Sequence, residues 1–167
     1  MPGTVATCLV PGEARPAPPA PEALAYCLTL PASCTTPRIA RAATRTILWA
    51  HGLSDITDAA VQTVSELAAC ACRFASAAEV YMSLRYRDGS LRVILYDSHP
   101  RHTNPRLAAA CDVRRRASLR LLACVVRASD GDWGFGEARE PGGGTRMWAV
   151  VPRVGARAFA QADHTRG

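Results

Sequence analysis

Lysine is absent from this chain: all 20 basic residues are arginine. Against 14 acidic residues they leave a net charge of +6, yet apart from the run RRR at 114–116 they are scattered. A basic total without a basic stripe is a poor electrostatic footprint, so nucleic acid is not the expected partner. No apolar run approaches bilayer length. The N-terminus also lacks the basic region followed by an apolar run that marks a secretory signal. A cytoplasmic protein without a membrane span is therefore expected. Seven cysteines are present, but no two make the C-x-x-C pair of zinc or redox sites. Cys70 and Cys72 are one residue apart, which on a helix sends them to different faces and makes a poor chelate. Most of the cysteines are read as small buried hydrophobes in a reducing cytosol.

What is there fits one domain. The 167 residues, 49% hydrophobic and 20% charged, are enough to bury a core. Residues 1–22 are rich in Pro and Ala and are expected not to fold. ALAYCLTLPA (23–32) alternates as a strand, and TTPRIARAATRTILWAHG carries helix punctuation at Thr36, Pro37 and Gly52. Ile39, Ala43, Ile47 and Ala50 predict the core side of that helix. A second helix is expected from Ser54 or Thr57 to about Ala75, with Ala60, Val61, Val64, Leu67, Ala68 and Ala71 inward. EVYMSLRYR and LRVILYD are strands joined at Asp88-Gly89. Residues 98–114 read as irregular with at most a helical turn, and 117–128 as a third helix. GDWGFGEARE and TRMWAVVP form a closing hairpin around PGGG, with Trp133 and Trp148 under the sheet. Residues 153–167 read as a flexible tail. Grouped helices beside hairpin-joined strands predict an α+β two-layer sandwich. Its sheet is expected to be mixed, mostly antiparallel, and covered on one face by about three helices.

Three stretches carry a likeness to a known family. GLSDITDAAVQTVSELAACACRFA (52–75) resembles the helix that in Bergerat-fold, histidine-kinase-like ATPases ends in Ser-Glu-Leu-x-x-Asn-Ala-x-x-His. LRVILYDS (91–98) is similar to the strand that ends in that family's adenine-reading aspartate. DWGFGEAREPGGGTRMWAVVP (132–152) resembles its closing hairpin. Within the superfamily the chain looks like the small stand-alone proteins of the anti-sigma factor serine-kinase type, abundant in actinobacteria. The likeness spans residues 23–152.

The resemblance implies roles residue by residue. Glu66 matches the helix glutamate and is either a retained base or, the reading favoured here, a partly buried acid left at the rim; Arg73 is placed to neutralise it. Cys70 stands where the family has the asparagine that ligates Mg²⁺, and Phe74 stands where it has histidine. A neutral thiol is a soft donor and Mg²⁺ a hard ion, so no metal is expected there. Asp97 is either a strand-terminal turn residue or the acceptor for the adenine amino group. Ser118 and Leu119 match the end of the lid motif, normally Gly-x-Gly-Leu, but no glycine lies between Gly89 and Gly131. The arginines at 114–116 either attract phosphate or, more simply, form a solvated basic turn. Gly144 and Thr145 match the residues that support the adenine pocket, although the glycines serve equally as a turn.

Residues for the base are kept and those for the phosphates are missing. The resemblance thus implies a regulatory protein of the anti-sigma type that works by protein–protein binding. Its partner would be a sigma factor or an anti-sigma antagonist, with homodimerisation as the family norm. ATP binding is expected to be weak and adenine-led, or absent. The alternative is an active serine kinase that phosphorylates the antagonist, with Glu66 as base and Asp97 or water as the missing metal ligand.

Overall fold

The computed structural model describes residues 17–138 and 143–164. Five strands pair in the order β1-β2-β3-β5-β4. They are β1 (Ala25–Pro31), β2 (Glu79–Arg87), β3 (Ser90–Asp97), β4 (Asp132–Glu137) and β5 (Thr145–Pro152). Every pairing is antiparallel, so the expected two-layer α+β sandwich forms without the parallel pair of a mixed sheet. Asp88 and Gly89 turn the β2–β3 hairpin with φ of 50° and 70°, the left-handed pair that matches strand twist.

Strict alternation makes the sheet two-sided. Val80, Met82, Leu84 and Tyr86 on β2 and Leu91, Val93 and Leu95 on β3 are buried beneath helices. Tyr81, Arg85, Arg87 and Arg92 point the other way and are exposed. On that outer face Ser83, Arg85, Arg87, Arg92 and Ile94 help line an open groove of about 460 Å³.

The helices are α1 (Thr36–Ala50), α2 (Thr57–Phe74), α3 (Pro105–Ser118), α4 (Arg120–Ala128) and α5 (Arg153–His164). α2 lies against β3 and β5, with α1, α4 and α5 packed around it. Its predicted inward residues are all buried. In α1 the stripe is rotated from the expected one: Ala40, Thr44, Ile47 and Leu48 face the core, while Ile39 is 42% exposed. Thr44 can sit inside because its hydroxyl donates to the Ala40 carbonyl, which satisfies the polar atom within the helix.

Two expectations are corrected. Residues 98–114 hold most of a 14-residue helix, α3. Asn104 caps it, its side chain accepting from the amides of Arg106 (3.0 Å) and Leu107 (3.3 Å), and Pro105 takes the first helical position. The supposed tail from Arg153 is also helical, as α5. The Arg153 amide donates to Gly89 O at 2.8 Å, and the side chains of Arg153 and Arg157 both bond the Asp55 carboxylate. Of the N-terminal segment, residues 1–16 lie outside the described residues. Pro21–Ala23 form a short 3-10 turn, and Leu24 behind it is fully buried.

Burial pushes the Asp55 carboxyl up, but hydrogen bonds and charge from Arg153 and Arg157 outweigh it and hold it below the ordinary carboxylate range. A depressed folded value stabilises fully above the unfolded carboxyl's pKa, and the gain is lost as pH falls through the folded value. Asp55→Asn is therefore expected to cost about 1 kcal/mol at neutral pH. Urea melts of the variant and parent should converge in acid, and amide exchange in α5 should rise at neutral pH.

Candidate functional site

The site begins with an alternation argument. With Leu91, Val93 and Leu95 inward, the next residue in phase on β3 is Asp97, and it is 4% exposed. A carboxylate taken out of water must be paired. The partner is Arg115, itself 3% exposed, whose Nη1 lies 2.6 Å from Asp97 Oδ2 and whose Nη2 lies 3.5 Å from Oδ1. Its guanidinium carbon sits 4.1 Å over the centre of the Phe74 ring, a cation–π contact. Met147 Sδ at 3.1 Å and Cys70 Sγ at 4.0 Å complete the surround. The guanidinium thus fills the space between the end of β3 and α2.

α3 delivers this arginine. Along that helix Ala108, Cys111, Asp112, Arg115 and Ser118 recur at three- and four-residue spacing and are the less exposed positions, with Arg115 the buried one. The run at 114–116 is therefore no solvated turn: Arg114 and Arg116 are exposed, and the middle arginine is interior.

Asp97 and Thr145 are direct partners across β3 and β5, and together they clamp the following loop. Asp97 Oδ1 accepts from the His99 amide at 3.0 Å, and the Thr145 hydroxyl donates to the His99 carbonyl at 3.2 Å. Gly144 has φ of 106°, and a Cβ there would strike the Asp97 carbonyl, so only glycine fits. Gly142 of the same turn lies outside the described residues. Asp97 and Cys70 thus meet at one guanidinium, while Gly144 and Thr145 pack on Asp97 and the loop beyond it.

The other expected residues stand apart from it. Glu66 is half-buried one turn before Cys70. Burial raises its carboxyl, and a 3.0 Å hydrogen bond from Gln62 pulls the other way. Arg73 does not neutralise it; its guanidinium donates to Ser118 Oγ at 3.1 Å. Ser118 ends α3, and fully buried Leu119 gives its amide to Arg115 O and Arg116 O at the junction with α4. These two residues close a helix–helix corner and aim no free amide at an anion. Trp133 packs on the core as expected, whereas Trp148 lies on the outer face, opposite Ile94 and under Gly134. The cysteines also divide: Cys70 is buried, Cys72 and Cys111 are intermediate, and Cys27, Cys34 and Cys124 are exposed.

One cluster went unread in the sequence. Cys111 Sγ lies 3.2 Å from His102 Nε2 and 3.5 Å from His99 Nε2. The signal was available as His99-x-x-His102 followed nine residues later by Cys111. Burial, then the nearby Arg115 charge, lowers the His99 pKa, with Asp97 opposing. Beside these residues remains a cavity of about 10 Å³, bordered by His99, His102, Cys111, Arg115 and Thr145. That holds about one water and is far below the few hundred Å³ of a small-molecule site. No family model matches the chain, and no curated protein matches it.

Removing either member of the buried pair leaves the other charge stranded, so Asp97→Leu or Arg115→Met alone should cost about 3–5 kcal/mol. The double replacement Asp97→Leu with Arg115→Met should recover most of that loss, read as a double-mutant cycle from urea melts. Burial pushes the Cys70 thiol up to about 11 against the pull of Arg115. At neutral pH a thiol reagent should label Cys27, Cys34 and Cys124 first and reach Cys70 only on unfolding, as peptide mass mapping would show.

Proposed function

We propose that this chain is a regulatory binding protein of the anti-sigma type on a histidine-kinase-like scaffold, acting in the cytoplasm through contact with a sigma factor or an anti-sigma antagonist. One observation carries the reading: the carboxylate that would select adenine is already bonded to Arg115. An incoming adenine would have to displace that guanidinium and leave a buried charge unpaired, at about 3–5 kcal/mol. At 1.4 kcal/mol per decade this is a loss of roughly 100-fold or more in affinity, before any metal is considered. Cys70 adds to the deficit, because a thiol held neutral by burial offers Mg²⁺ no oxygen.

A protein that works without turnover needs a surface. The outer sheet face supports this role, with Arg85, Arg87 and Arg92 around its groove and Ile94, Trp148 and Tyr96 beside them. Charge and aromatic area together suit an acidic segment of a partner protein. Among the described residues no helix is long and apolar enough to cross a membrane.

Thermal-shift titration tests the proposal. ATP at millimolar concentration should leave the melting temperature unchanged, with or without Mg²⁺. A Mg²⁺-dependent rise that Asp97→Asn abolishes, or γ-phosphate transfer to an antagonist protein that Glu66→Gln abolishes, would overturn it in favour of the serine kinase.

A further inference from the structure

We propose that His99, His102 and Cys111 form a binding site for a zinc-class transition metal. The inference is independent of the functional reading above. Three ligand-type atoms, two imidazole nitrogens and one sulfur, lie within 4.8 Å of one another. The sulfur is 3.2 Å from one nitrogen and 3.5 Å from the other. A tetrahedral zinc with ordinary Zn–S and Zn–N bonds sets such neighbours about 3.5 Å apart. The two sulfur–nitrogen spacings therefore need little adjustment to admit an ion. The adjoining cavity of about 10 Å³ is bordered by all three residues, which leaves room for an atom and not for an organic ligand.

The surroundings hold these ligands in place. His99 is fixed through its backbone, by Asp97 on the amide and Thr145 on the carbonyl. Its ring meets Phe74 edge-on at 5.6 Å and His102 at 5.2 Å. Cys111 is set on α3 by the Asn104 cap about two turns earlier. The nearest cation, Arg115, has its charge taken up by Asp97, and Arg101 bonds Asp112 at 2.9 Å. Imidazole and thiolate select zinc or cobalt over magnesium and calcium. With three protein donors, the fourth position falls to water. Binding releases the Cys111 thiol proton to solvent and leaves sulfur as the anionic ligand. A bound ion would tie the loop 98–104 to α3 and so fasten the helix that carries Arg115.

The test uses the full chain, without a histidine tag, loaded with Co²⁺. We expect one equivalent of cobalt, an intense tetrahedral visible spectrum and a thiolate-to-cobalt charge-transfer band, all displaced by Zn²⁺. Cys111→Ser should abolish the charge-transfer band, and Cys111→Ser and His102→Asn should each weaken binding on the order of 100-fold or more. Cys124→Ser, which alters an exposed thiol on α4, should change neither. Zn²⁺ should also raise the melting temperature of the parent and slow amide exchange across 98–111, and both effects should vanish in Cys111→Ser. Circular dichroism on each variant keeps loss of fold separate from loss of ligand. The same cobalt spectrum in parent and Cys111→Ser, or uptake by the parent no greater than that of a variant carrying both Cys111→Ser and His102→Asn, would overturn the proposal and leave a hydrogen-bonded triad.

Discussion

The ion pair between Asp97 and Arg115 is the constraint around which this end of the molecule is arranged. A carboxylate placed on the buried face of a sheet has to be matched by a cation, and the cation must be brought in by another element. That requirement fixes the rotation of α3, because turning the helix by one residue would withdraw Arg115 and present an exposed neighbour. It also dictates the surround, since a desolvated guanidinium needs polarisable contacts. Phe74, Met147 and Cys70 provide them.

Such a pair adds little net stability, because the desolvation of both charges offsets most of their attraction. Its value lies in specificity of arrangement. Leucine and methionine of similar volume would pack as well but would tolerate several rotations of α3. The guanidinium fork accepts one orientation. The cost of breaking the pair is also what shuts the end of β3 to a competing ligand, so closure and helix placement come from one interaction.

Asp97 and its cross-strand partner Thr145 also organise the loop beyond the pair. Asp97 bonds Arg115 through its side chain while also holding the His99 amide, and Thr145 holds the His99 carbonyl from the neighbouring strand. The polar network is thus continuous from β5 through β3 and the loop to α3. It ends in two imidazoles and a thiol whose ligand-type atoms lie within 4.8 Å of one another. Asp97 and Thr145 thus spend their polar atoms on the protein itself.

By itself the sequence determined the strands, because period-two alternation in EVYMSLRYR and LRVILYD admits one register per face; that Asp97 follows this phase into the interior came from the structure. The sequence also determined the inward face of α2, where small apolar residues recur at helical spacing. It left α3 obscure, since that helix buries a single residue and that residue is an arginine, so no apolar stripe announces it. The cap at Asn104-Pro105 was legible but stood alone. α5 was hidden for a related reason: it is tied down by Asp55, a partner about a hundred residues away, and ion pairs of that separation leave no periodic trace. Only the tertiary structure decided which of three consecutive arginines goes inside and that two histidines and a cysteine meet. Hydrophobic pattern reports how a segment faces the core, whereas the pairing of buried polar groups depends on where other segments end.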